Sequence, residues 1–319
     1  MKWIIFFWFC GTMTALAQQE TQFTQYVFNT MHVNPAYAGY KGETYFQSFY
    51  RSQWVGMEGA PKTLSFSLDG APNDRIGLSF IVNNDRIGVQ SHLSAYAGYA
   101  YHLPAGHDDA KLSFGLSLGA IQSKLDGDLL SAETVGDQYI PGTSVSSILP
   151  DARFGVLYSN SKFYIGLAAN NMIASWIGKS KSDASRPIIP RPHLYLTGGA
   201  IFDLNTDLKI KPGFLIKDDV QGPTNMDINA FLLVSEKIWV GAMYRTAVKL
   251  YDKPHLQNDL RMSSSTGLMT EFMISRQFRI GYSYDYALNK LTDYNSGTHE
   301  VSVGLFVGKR AANITGCYF

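Results

Sequence analysis

Cysteine is almost missing from this chain, with two in 319 residues. Cys10 lies in the apolar N-terminal stretch and Cys317 near the other end, so no disulfide framework organises the fold. An excess of either charge is missing too: 27 Lys+Arg face 26 Asp+Glu. That balance removes the usual electrostatic basis for nucleic-acid binding. Long apolar runs are absent after the N-terminus, where none reaches the roughly 18 to 20 residues that span a bilayer as a helix. A mean hydropathy of −0.08 is likewise too polar for a helical membrane bundle.

Motifs of catalysis are absent as well. The sequence has no His-Glu-x-x-His, Cys-x-x-Cys, Walker loop or Gly-x-Ser-x-Gly. His102, His193 and His299 are isolated and near strand ends, where structural roles dominate. Asp126-Gly127-Asp128 lacks the further ligand spacing of a calcium loop and reads as a turn. No enzyme, metal site or cofactor is expected.

What is present begins with an export signal. Lys2 gives a positive start, Trp3 to Phe9 an apolar stretch, and Ala15-Leu16-Ala17 a small-x-small site. Residues 1–17 therefore read as a cleaved signal peptide. Cys10 follows Phe9 inside the apolar run, which excludes it as a lipid acceptor.

The mature part alternates with period two. Leu112, Phe114, Leu116, Leu118 and Ala120 share one face, against Lys111, Ser113, Gly115, Ser117 and Gly119. Phe163, Ile165, Leu167 and Ala169 repeat the pattern, as do Leu208, Ile210, Phe214 and Ile216 against Lys209, Lys211 and Lys217. Such segments fall near 43–51, 62–68, 75–83, 92–102, 111–122, 151–159, 162–171, 193–203, 207–217, 225–235, 236–245, 264–275, 276–285 and 298–308, 14 in all. Connections after even strands are short. Those after odd strands are mostly longer, as at 123–150, 172–192, 246–263 and 286–297.

Long loops at one end and short turns at the other are the habit of outer-membrane barrels. A closed barrel also satisfies every backbone hydrogen bond inside a hydrocarbon layer. The expected fold is all-β: a closed antiparallel transmembrane barrel of 14 strands over 43–308, with long outer loops and short periplasmic turns. Residues 309–319 form a C-terminal tail. Tyr99, Tyr101, Tyr158, Phe202, Tyr244, Tyr282, Tyr284 and Tyr286 suit the aromatic girdles where such a barrel meets outer-membrane lipid.

With the apolar face on lipid, the lumen receives Arg75, Lys111, Arg153, Lys209, Lys211, Lys217, Asp227, Arg245, Glu271, Arg279, Asp285 and Glu300. Charges in such number require partners. Lys217 with Asp227 and Glu271 with Arg279 are expected to brace an obstructed lumen. Residues 18–42 are either a leader or a plug: Phe23, Tyr26, Val27, Thr30 and Met31 have rough helical spacing before Asn34-Pro35.

Closure adds one more expectation, because the last strand must pair with the first. Arg51 and Trp54, Asp285, and His299-Glu300 then meet at the outer rim. Arg51 is expected to clasp Asp285, Glu300 or both just inside the mouth, fixing the first outer loop with Trp54.

Four blocks carry a resemblance: Asn34-Pro35-Ala36-Tyr37-Ala38-Gly39; Arg51-Ser52-Gln53-Trp54-Val55-Gly56 through Gly59-Ala60-Pro61-Lys62-Thr63; Gly281-Tyr282-Ser283-Tyr284-Asp285-Tyr286; and His299-Glu300. In order and spacing they resemble the PorP/SprF family of type IX secretion, over almost the whole mature chain. The tail Gly316-Cys317-Tyr318-Phe319 departs from that family's pattern, in which a Pro-Arg pair precedes the last aromatics. The resemblance implies a cell outer-membrane protein of Bacteroidota that works with type IX secretion components. Its implied partner is a large secreted or surface cargo protein, gliding adhesins included, held without catalysis. A transporter of small solutes through the barrel and an outer-membrane hydrolase are the competing readings.

Overall fold

A computed structural model describes residues 23–106, 109–130, 143–180, 190–254, 256 and 263–308. The expected signal peptide and C-terminal tail lie outside the described residues. No described helix is long and apolar enough to cross a membrane. Strands make up the fold. In chain order they are β1 (Thr44–Ser52), β2 (Lys62–Asn73), β3 (Ile76–Ile87), β4 (Gln90–Pro104), β5 (Lys111–Leu125), β6 (Val145–Ser159) and β7 (Phe163–Asn170). After helix α1 (Met172–Ser180) come β8 (His193–Ala200), β9 (Phe202–Asp203), β10 (Leu208–Asp218), β11 (Thr224–Val234), β12 (Ile238–Val248), β13 (Ser263–Met273), β14 (Phe278–Ala287) and β15 (Thr298–Val307).

Each strand pairs antiparallel with its neighbours, β15 pairs with β1, and β10 pairs with β11, so the sheet closes. The segments β8 and β9 keep one register against β10, with Gly213 opposite Gly199 and Ile210 opposite Phe202. Pro212 lies between those pairs and has no N–H to donate, which interrupts the ladder without ending the strand. Counted as one, they give the 14-stranded antiparallel barrel expected from the alternation.

The lipid-side positions are the apolar set: Leu64, Phe66, Leu68, Leu116, Leu118, Ile165 and Leu167 are exposed. At one end the connections are 126–144, 171–192, 249–262 and 288–297, and at the other 74–75, 160–162, 204–207, 235–237 and 274–277. The long-loop end is the outer one by the rule for such barrels.

One connection departs from expectation. Residues 84–91 read as a loop, yet β3 continues to Ile87 and β4 starts at Gln90, leaving only Gly88 and Val89 between them. The polar residues Asn83 and Asp85 look like loop but continue the inward face. Asn83 accepts from the Ser65 hydroxyl and Asp85 from the Thr63 hydroxyl on β2, each at 2.5 Å.

The lumen also differs from an all-polar interior. Phe49, Leu157, Phe231, Leu233, Trp239, Met243 and Met269 point inward and are buried. They pack on Phe23, Tyr26, Val27, Phe28, Met31, Val33 and Tyr37 of the N-terminal segment. Burying an apolar side chain of this size contributes about 1.5 to 3 kcal/mol. This core, within the barrel instead of between layers, holds the segment.

Candidate functional site

The segment 23–42 fills the lumen. It folds as three 3₁₀ turns, Gln25–Phe28, Thr30–His32 and Pro35–Tyr37, not as the helix its spacing suggested. Every residue from Phe23 to Gly39 is buried. A one-faced amphipathic helix has no place where barrel wall surrounds the chain on all sides.

Its first residues engage the rim charges. Arg51 on β1 donates from Nη2 to Asp285 of β14 at 3.0 Å and from Nη1 to Glu300 of β15 at 2.9 Å. The register places Arg51 opposite Glu300. Arg51 Nη1 also donates to the Thr24 hydroxyl at 2.7 Å, and that hydroxyl donates to Asp285 at 2.5 Å. The backbone N–H groups of Thr24 and Gln25 both donate to the Glu300 carboxylate at 2.9 Å. Gln25 completes the lock, accepting from the Ser302 hydroxyl at 2.6 Å and donating to the Glu300 carbonyl at 3.0 Å. One guanidinium therefore compensates two buried carboxylates while both bind the plug.

Further down, Asn34 donates to the carbonyls of Val156 (3.1 Å) and Leu167 (3.2 Å), using both hydrogens of its amide on adjacent strands. Asn34 Oδ1 accepts from the Ala36 N–H, capping the third turn. The wall beside this turn is bare. A Cβ on Gly115 would overlap the Ala36 backbone, and one on Gly77 the Ala38 carbonyl. His102 Nε2 donates to the Ala38 carbonyl at 3.0 Å, and its Nδ1 accepts from Ser113 at 2.7 Å. Gly39 N–H reaches Asp69 at 2.5 Å near the short-turn end. The plug thus descends from the outer half of the lumen to the opposite end.

The other singled-out residues divide. Arg245 grips Asp227 with two bonds of 2.7 Å, and Glu271 meets Arg279 at 3.3 Å. Lys217 and Asp227 line one cavity, but the carboxylate of Asp227 is taken by Arg245. Lys211 is buried, with its ammonium 3.4 Å from the Val27 carbonyl of the plug. Arg153 stacks on Tyr96 at 3.7 Å. Lys209 pairs with Asp203 at 2.7 Å, and Lys111 is half-buried at the start of β5.

Two placements need correction. Arg75 is exposed in the β2–β3 turn, because β2 runs to Asn73 and β3 starts only at Ile76. His299 faces the lipid side by parity with Glu300 and takes no part in the clasp; its Nδ1 lies 2.8 Å from the Tyr282 hydroxyl. Trp54 belongs to the outer loop, with φ +50°, and its N–H donates to Thr298 at 3.2 Å. Val55 and the segment Ser296–Gly297 exchange backbone bonds of 2.7 and 2.9 Å, joining the first outer loop to the last. The histidines of the hydrolase reading have separate partners: Ser113 and Ala38 for His102, the Arg191 carbonyl for His193, Tyr282 for His299. Asp126 accepts from Lys124 and Ser144, closing the turn expected there.

Sequence reading missed Thr24, Gln25 and Asn34 as anchors. Asn34 had a signal, the Asn34–Gly39 block, whose residues lie against Gly77, Gly115 and Gly155 of the wall; Thr24 and Gln25 had none.

His32 is expected to give the plug a pH dependence. It sits between Phe23 and Phe49, ring centroids 5.0 and 5.5 Å away, with Ser65 at 3.5 Å. Burial, aided by Arg153 and Lys41, depresses its pKa to about 3. A base depressed in the folded state favours that state above its unfolded value of about 6.5 and loses this as pH falls toward the folded value. Thermal stability is expected to decline between about pH 6.5 and pH 3, and His32→Gln should flatten that decline. An unchanged profile in the variant would remove His32 as the cause.

A closed 14-stranded transmembrane barrel whose lumen holds its own N-terminal segment defines the class: an outer-membrane-type β-barrel. The family model described as type IX secretion system membrane protein PorP/SprF matches residues 15–305, and the chain belongs to that family. No curated protein matches it. Among solved structures, the toluene transporter TbuX of Ralstonia pickettii is similar, with TM-score 0.54, 13% identity, and 87% of this chain and 93% of that one covered. A monoaromatic hydrocarbon channel, CymD, gives TM-score 0.50 and 12% identity, covering 88% and 93%. At such identities the likeness is one of fold.

Proposed function

We propose that this protein is a type IX secretion accessory that holds a secreted or surface protein at the outer face of the outer membrane, without passing solute through its lumen. The observation that supports this most is the plug: Arg51, Asp285 and Glu300 bind Thr24 and Gln25, and Asn34 of the plug binds the wall carbonyls of Val156 and Leu167, where a transport path would run. Family membership supplies the secretion context. Loops on a rigid scaffold are where recognition usually resides, so the connections 126–144, 171–192 and 249–262 are assigned as the receiving surface. Residues 1–17 are assigned as the signal peptide, the source as Bacteroidota, and gliding adhesins as one class of cargo.

Deletion of the protein is expected to abolish surface display or release of one or a few large proteins while other type IX cargo persists. Quantitative proteomics of the cell surface and medium measures it. Equal loss of all cargo would make the protein a core part of the machine instead. The fold of TbuX, a toluene transporter, favours a second reading, small-solute transport. That reading requires the plug to leave the lumen.

A further inference from the structure

The outer ends of β2 and β3 set two cations side by side on the lipid face of the wall. Lys62 and Arg86 are register partners and both are exposed, while the residues they alternate with, Thr63 and Asp85, are buried and bonded to each other. Directly opposite residues have Cβ atoms about 4.5 to 5.5 Å apart, and like charges placed there repel. No carboxylate of the described residues comes within ion-pair distance of either side chain. Asp126 lies in the field of Arg86, but Lys124 holds it at 2.5 Å. The next cross-strand neighbours are hydroxyls, Ser52 beside Lys62 and Ser91 beside Arg86. The pair is confined to one arc, since the outward row at the same end of β12, β13 and β14, Tyr244, Thr266 and Tyr286, is uncharged. Toward the membrane the same face of β2 continues as Leu64, Phe66 and Leu68, and that of β3 as Asn84, Val82 and Phe80. Leu64, Phe66, Leu68 and Phe80 are exposed, and Leu64 follows Lys62 by only about 7 Å along the strand.

We propose that Lys62 and Arg86 form a binding site for the phosphate of an acylated lipid of the outer leaflet, whose chains lie along Leu64, Phe66 and Phe80. A phosphate placed between the two side chains replaces their mutual repulsion with charge-assisted hydrogen bonds to both. The guanidinium suits it bidentately and the ammonium as a point charge. Asn84, with the Ser52 and Ser91 hydroxyls, offers polar contact at the neck between head and chains. The apolar track selects a lipid over free phosphate, because only an acylated ligand gains by covering it. The site lies on the outside of the barrel, so it uses neither the plug nor the anchoring reading.

The test titrates the intact mature protein, in micelles of an uncharged detergent, with three probes and reads binding by native mass spectrometry. The probes are monophosphoryl lipid A, the same lipid after enzymatic removal of its phosphate, and inorganic phosphate. The phosphorylated lipid is expected to bind, and the dephosphorylated one about tenfold more weakly or worse. Lys62→Gln and Arg86→Gln should each weaken the phosphorylated lipid about tenfold, as loss of one charge-assisted bond implies. Lys62→Arg should retain binding, and Lys162→Gln, an exposed cation in the β6–β7 turn at the opposite end, should leave it unchanged. Either glutamine variant serves alone should the other fail to assemble. Absence of binding, equal affinity for the two lipids, indifference to both glutamine variants, or an equal loss in Lys162→Gln would overturn the site. Inorganic phosphate binding as tightly as the phosphorylated lipid would overturn the lipid assignment.

Discussion

Arg51→Ala is expected to unlatch the plug while the barrel still assembles. The guanidinium lies between Asp285 and Glu300, and all three side chains are at most 4% exposed. Removing it leaves two buried carboxylates facing each other without a cation, a change that typically costs about 3 to 5 kcal/mol. The barrel ladder does not depend on this side chain, since β1, β14 and β15 pair through their backbones. The loss should therefore fall on Thr24, Gln25 and the outer loops joined at Val55 and Gly297. Limited proteolysis should cut the N-terminal segment in the variant and spare it in the wild type. Cell-surface retention of cargo should fall with it. Combining Arg51→Met with Glu300→Gln and Asp285→Asn removes both the cation and the charges it balances, and should recover part of the lost stability. A variant whose N-terminus stays as protected as the wild type would show that the clasp does not hold the plug.

Gly115→Leu is the second large effect. Position 115 faces the Ala36 backbone so closely that any Cβ collides with main-chain atoms, which no rotamer change relieves. The same holds at Gly77 beside the Ala38 carbonyl. Strand β5 keeps its pairs with β4 and β6 whatever the side chain, so the expected outcome is a folded barrel with a displaced plug. Conductance should rise from near zero to steady, porin-like levels. A blocked Gly115→Leu barrel would mean that the seat tolerates a side chain and that the close approach is not what positions the turn.

Much of this architecture was legible because barrel geometry is strict. A period-two alternation with one apolar face admits one outward set, and closure forces the last strand beside the first. The proximity of Arg51, Asp285 and Glu300 follows from parity and chain order alone. His299 was misplaced by the same reasoning applied loosely: neighbours on a strand point to opposite faces, so it cannot share the lumen with Glu300. Arg75 escaped because a turn residue obeys no alternation.

The apolar half of the lumen was not legible. On β11 the inward positions run from Asp227 and Asn229 to Phe231 and Leu233, while Ile228 and Leu232 occupy the lipid side. Toward the short-turn end both faces are apolar, and sequence alone does not say that one of them meets protein. The plug itself has no period to read, since it is short 3₁₀ turns buried on every side. Thr24 and Gln25 act mainly through backbone N–H groups and short polar arms, which leave little trace in composition. The cavity lined by Lys217 and Asp227 was hidden similarly, because its residues come from the plug and from strands distant in the chain.

Planar-bilayer recording of the intact protein tests most directly the claim that the barrel is closed by its own N-terminal segment. Inserted wild-type protein should show no large, steady conductance, and deletion of residues 23–39 from the same barrel should produce one. Large, steady porin-like conductance from the intact protein would contradict a lumen sealed by residues 23–42 and would favour transport of small solutes over anchoring.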